Sequence, residues 1–194
     1  MYGKDRDGVG RPVLVKTSGQ LMGLPDKADA AINGRLFHTC SQASSTTSTT
    51  LNTTHVGLLV GNPAGSGKNL IMHEFGFAAD GSITAEGIIG LATGPIGNMA
   101  LVAAPVIQPS LVGGSASSVA YADQVGVTTG ALTCVRVIGA LDDTAAATAY
   151  GSPLQIVDLK GGIVVGPGYC IGTETTVAAG DVMWFHFQWE EVDV

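Results

Sequence analysis

Glycine or proline interrupts this chain every few residues, and that punctuation limits it to short elements. The 28 Gly and 8 Pro are spread along all 194 residues. Between them lie short runs rich in Val, Ile, Leu, Thr and aromatics, the composition that suits a pleated, half-buried backbone. The runs at 12–16, 34–40, 56–60, 69–78, 87–92, 100–107, 119–124, 131–138, 154–158, 163–165, 169–176 and 182–192 read as strands. A spacing of roughly 8–15 residues predicts an all-β sandwich or jelly roll. Helix is confined to two stretches, 26–33 and 142–150. Each opens on an Asp able to cap it and stops at a Gly. Either is equally an ordered loop, because so short a helix has little stability of its own.

The tail VMWFHFQWEEV alternates clearly. Met183, Phe185, Phe187 and Trp189 fall on one face and read as core. Trp184, His186, Gln188 and Glu190 fall on the other. Trp184 is therefore a candidate for an interface or for stacking on a sugar. Glu190 and Glu191 point to opposite faces of such a strand and do not form a catalytic carboxylate pair. A strand this apolar is expected inside a sheet, closing the fold.

Charge decides which partners suit the chain. Only 13% of residues are charged, against roughly 25% in ordinary soluble domains. With 45% hydrophobic residues, this predicts surface sealed by a partner or by other copies. A net charge of −7 disfavours nucleic acid, which rewards basic faces. The charge is also uneven. Residues 1–40 hold six cations and four acids; residues 41–194 hold three cations and twelve acids. A mildly basic leader on an acidic body predicts a division into an arm with its connector (1–54) and a β-sandwich body (55–194). Ser and Thr supply ten of the fourteen residues 41–54, which suits a flexible linker or an exposed strand. The opening MYGKDRDGVGRP has no apolar h-region, and the apolar stretch 87–107 is broken by Gly and Pro. Neither a secretory signal nor a membrane span is expected.

The stretch GNPAGSGKNL, 61–70, looks like a phosphate loop and fails the test for one. The pattern requires Gly where Asn62 stands and Ser or Thr where Asn69 stands. The run from Asn69 onward, NLIMHEFGF, reads as strand, whereas a phosphate loop opens a helix. Nucleotide binding is not expected. His73-Glu74 does not begin HExxH, because position 77 is Phe; His38, His55 and His186 have no ligand at metal spacing. No Ser sits in GxSxG. Cys40, Cys134 and Cys170 make no CxxC pair and read as small buried hydrophobes, with an inter-subunit disulfide as the alternative. No catalytic residue, cofactor or metal is expected.

Three stretches carry a family resemblance: NPAGSGKNL between two strands, GGIVVGPGYCIG, and the closing FHFQWEEV. Together, over residues 55–194, they resemble the jelly-roll decoration (cement) proteins of tailed bacteriophages. The resemblance implies a non-enzymatic, homotrimeric jelly roll on the capsid exterior, made in the host bacterial cytoplasm. Such a protein bridges capsomers and has the major capsid protein as partner, with no nucleic acid and no membrane. It further implies that Asn62, Pro63, Gly65, Gly67, Lys68 and Asn69 shape a structural loop. Arg6, Arg11 and Lys16 lie where capsid-contacting arms lie. The alternative is a receptor- or glycan-binding head of a fibre or tail component, for which Trp184 and Tyr121 are the aromatic candidates.

Overall fold

The computed structural model describes residues 2–4, 10–12, 14–15, 21–22, 26–46, 50–51, 57–79, 87–124, 128–141, 155–176 and 182–194. Its strands, in chain order, are β1 (Tyr2–Lys4), β2 (Gly10–Pro12), β3 (Leu14–Val15), β4 (Leu21–Met22), β5 (Leu36–Cys40), β6 (Ser45–Thr46), β7 (Leu58–Gly61) and β8 (Lys68–Ala79). They continue with β9 (Gly87–Pro95), β10 (Ile107–Pro109), β11 (Tyr121–Gln124), β12 (Thr133–Leu141), β13 (Gln155–Val165), β14 (Tyr169–Thr175) and β15 (Val182–Asp193). Among the described residues, one short helix, α1 (Asp26–Ile32), precedes β5, and one 3-10 turn spans Ile96–Asn98. The helix expected over 142–150 lies outside the described residues.

Two antiparallel sheets of five strands pack as a sandwich. Sheet I runs β10-β5-β15-β8-β13, with the short β6 also paired to β15. Sheet II runs β11-β7-β14-β9-β12. β1 pairs with β2, and β3 with β4, in two separate ladders. β5 lies within the segment read as arm and connector, yet it is the second strand of sheet I. The sandwich therefore draws on residues 36–46 as well as on 55–194.

β15 sits at the centre of sheet I, as its apolar alternation requires. Met183, Phe185, Phe187 and Trp189 all face the interior and are buried. They meet Phe75 and Phe77 of β8 and Phe37 of β5. The ring of Phe75 lies 5.8 Å from Phe77, 6.1 Å from Phe185 and 5.2 Å from Phe187. Phe37 stacks on Trp189 at 6.4 Å. Leu58, Val60, Ile89, Leu91 and Ile171 close this core from sheet II. Each fully buried side chain of this size contributes about 1.5–3 kcal/mol over its exposed state.

Two irregularities set which side chains face out. The β8–β15 register breaks where Gln188 opposes Glu74 but Trp189 opposes Met72, leaving His73 as an extra residue. This bulge moves the buried set of β8 from Phe75 and Phe77 to Met72 and Leu70, and turns His73 and Glu74 outward together. In β13, the two strands expected at 154–158 and 163–165 are one strand bent by a bulge between Asp158 and Ile163. Lys160 there takes φ 52°, and its N–H donates to Asp158 Oδ1 at 2.9 Å.

The strand expected at 100–107 is a correction. Only Ile107–Pro109 pairs, with β5. Leu101 adopts φ 52°, and the proline at 105 has no N–H to offer a ladder. Residue 103 instead bonds the edge of sheet II: Ala103 N–H donates to Asp123 Oδ1 at 2.9 Å, and its carbonyl accepts from Gln124 N–H at 2.9 Å.

Candidate functional site

Three places on the sandwich gather the residues singled out in the sequence. The first is the end where β7 turns into β8. Gly65 (φ 78°) and Gly67 (φ 69°) carry the reversal in the left-handed region that Gly tolerates. Asn62 is completely buried and organises the loop. Its Nδ2 donates to the carbonyls of Lys68 at 2.7 Å and Val165 at 2.9 Å, and its Oδ1 accepts from Ser66 Oγ at 2.6 Å. Its backbone N–H donates to Tyr169 O, and its carbonyl accepts from Gly168 N–H, each at 2.8 Å. Lys68 opens β8 and ion-pairs with Asp193, while Val194 N–H donates to Gly67 O at 3.1 Å. Pro63 and Asn69 are half-buried beside them. The stretches NPAGSGKNL, GGIVVGPGYCIG and FHFQWEEV thus meet at one end of the molecule. Ser66, which sequence reasoning passed over, is part of the same knot.

The second place is the long excursion between β9 and β11. Residues 87–122 contain no charged side chain, the 36 positions being bounded by Glu86 and Asp123. Val102, Val106, Leu111, Val112 and Tyr121 stand exposed on it, Val112 almost fully at 96%. The excursion also forms a groove of about 560 Å³, lined by Leu101, Pro105, Pro109, Ala116, Ala120 and Tyr121. Buried Glu191 anchors the excursion to sheet I, accepting from Ser118 Oγ at 2.5 Å, Val119 N–H at 3.0 Å and Trp189 Nε1 at 3.5 Å. Its neighbour Glu190 faces the other way, to Arg35 at 3.4 Å and His73 at 3.4 Å.

The third place is the outer face of sheet I. Register puts Cys40 opposite His186, His186 opposite Gly76, His38 opposite Gln188, and Gln188 opposite Glu74. Trp184 is 37% exposed on the same face. His38, Cys40, Glu74, Trp184, His186 and Gln188 line a cavity of about 450 Å³. Burial lowers the pKa of His186 from its ordinary 6.5; Glu74 opposes this and His38 reinforces it. Lys27 of α1 reaches across to ion-pair with Glu74. Tyr121, the other aromatic candidate, lies across the sandwich on β11.

The cysteines separate by environment. Cys170 is buried, and burial pushes its thiol up to about 11. Cys134 is half-buried, but Cys40 is exposed, against the expectation that all three are core. Exposure follows from register, because residue 40 shares the outward parity of His38. Arg11 lies in β2 opposite Gly3, whereas Arg6, Lys16 and His55 lie outside the described residues. Among the described residues, no group of three or more His, Cys, Asp or Glu is placed to hold a metal ion, and no helix is long and apolar enough to cross a membrane. No protein-family model matches the sequence, and neither does any curated protein or solved structure.

Proposed function

We propose that this chain is a non-enzymatic structural protein of a tailed-phage virion, a jelly roll that assembles as a homotrimer and reinforces the capsid exterior by bridging capsomers. The observation that carries this is the charge-free run 87–122, whose excursion between β9 and β11 exposes Val102, Val106, Leu111 and Val112, with Tyr121 exposed where β11 begins. An apolar surface of this kind on an otherwise acidic chain suits contact with other copies and a larger shell. Closed symmetry would bury it three times over.

Strand order supports the jelly-roll reading. Numbering β5, β7, β8, β9, β12, β13, β14 and β15 from one to eight gives 1-8-3-6 in sheet I and 2-7-4-5 in sheet II. Two interleaved Greek keys generate that order, and β10 and β11 each extend one edge. The resemblance in the three stretches, which meet at the β7–β8 end of the sandwich, supports the virion role. In this reading the basic leader docks on the shell while the acidic body faces outward. Three linked leaders would each raise the effective concentration of the others.

The test is co-sedimentation with tailed-phage shells assembled from the major capsid protein that this reading gives the chain as partner. A deletion of residues 1–25 stops short of α1 and β5, which the sandwich needs. The full chain is expected to saturate the shells, and the truncated chain to stay folded and lose at least about tenfold in affinity. Failure of the full chain to bind such shells overturns the proposal.

A further inference from the structure

The outer face of sheet I carries a cavity that a purely structural role leaves unused. Its position follows from three features of the fold. The bulge at His73 turns Glu74 outward. Gly76 leaves room for the imidazole of His186 to lie against β8, since a Cβ there would stand 1.9 Å from His186 Cε1. The parity of β15 puts Trp184, His186 and Gln188 on one side of the strand. We propose that the cavity lined by Trp184, His186, Gln188, His38, Glu74 and Cys40 is a binding site for a neutral saccharide.

The chemistry of the lining selects that class. A cavity of about 450 Å³ lies within the range of small-molecule sites. A half-exposed indole offers an apolar face to the C–H groups of a sugar ring, while its surroundings are polar. The buried Oε1 of Gln188 has no hydrogen-bond partner among the described residues. A buried acceptor left unpaired is costly, and rotation of the Gln188 amide into the cavity it lines lets a ligand hydroxyl supply the missing donor. Imidazole held neutral by burial offers one donor and one acceptor, as a hydroxyl does. Glu74 is balanced by Lys27, so the site has little net pull on an anion or a cation. His38 is tied at Nδ1 to Ser110 Oγ at 3.3 Å, which leaves its other ring nitrogen for the cavity. A ligand rich in hydroxyls and free of charge matches this set better than a phosphate, a nucleotide or an amine.

The experiment is saturation-transfer NMR on the full chain with the methyl glycosides of glucose, galactose, mannose, N-acetylglucosamine and N-acetylgalactosamine. At least one is expected to bind saturably, with Kd of about 1 mM or tighter. Trp184→Ala and Gln188→Leu should each weaken binding at least about tenfold. Val137→Ala, exposed on β12 of sheet II, should leave it unchanged. Should the Trp184 variant fail to fold, alkylation of exposed Cys40 in the native protein with N-ethylmaleimide tests the same cavity and should block binding. Absence of saturable binding by all five glycosides overturns the inference. So does binding that survives both the Gln188 substitution and Cys40 alkylation. Shell co-sedimentation of the Trp184 and Gln188 variants is expected to match that of the unmodified chain, so loss of sugar binding and loss of capsid binding are separately readable.

Discussion

Replacing Asn62 by Ala tests whether the phosphate-loop look-alike is a structural knot. The substitution removes three side-chain hydrogen bonds at a fully buried position. Their losses are unequal. The Lys68 carbonyl keeps Ser66 Oγ as a donor at 3.2 Å, and Ser66 thereby keeps an acceptor. The Val165 carbonyl loses a donor in a buried setting, which costs about 1–3 kcal/mol; the other two bonds cost about 0.5–1.5 kcal/mol each. The three losses together come to about 3 kcal/mol. With a urea m-value of about 2 kcal/mol/M, the unfolding midpoint should fall by about 1.5 M. Trp fluorescence tracks the transition at fixed protein concentration, reporting chiefly on buried Trp189. Asn62→Asp sharpens the test. It keeps the acceptor for Ser66 but sets a carboxylate oxygen against two carbonyls, so the folded state favours the protonated acid and raises its pKa. The deficit relative to Asn should grow as pH rises through roughly 3.9 and shrink below it. A midpoint shift under about 0.3 M for Ala, or an Asp variant as stable as the parent at pH 7, would refute the knot.

Phe75 contacts three other aromatic rings between the sheets, and Phe75→Ala should cost about 3–5 kcal/mol in the same urea assay; a loss below about 1 kcal/mol would mean that the two sheets do not share this core. His186 is less basic folded than unfolded because it is buried. The unfolded chain therefore binds more protons below pH 6.5, and stability falls as pH drops from 6.5 toward the depressed folded value. His186→Gln should flatten that part of the stability–pH curve, and equal slopes for the two proteins would contradict the burial of the ring.

Local pattern made much of this fold legible. The alternation from Met183 to Trp189 marked the central strand and its buried face, and the Gly-Pro punctuation marked most strand boundaries. The opposed facing of Glu190 and Glu191 followed from period two alone. What escaped depends on partners distant in sequence. The break in β8 at His73 exists because β15 continues its alternation beside it, and NLIMHEFGF carries no sign of it. Residues 100–107 have strand composition, but Asp123 and Gln124 capture the backbone at residue 103. Asn62 stood out only as a failed phosphate-loop position; its role depends on the Val165 carbonyl, 103 residues away. The cavity beside Trp184 needed three strands in register before one aromatic acquired polar neighbours. The charge-free run 87–122 was visible in the sequence, but its exposure was not.

Native mass in solution tests the central claim most directly. Sedimentation equilibrium of the full chain across micromolar concentrations should give three times the 19.6 kDa chain. Paired Val106→Asp and Val112→Asp substitutions should reduce that mass while leaving the urea midpoint of the separated chains unchanged. A particle of 19.6 kDa at every concentration, or a trimer indifferent to both substitutions, would contradict the account.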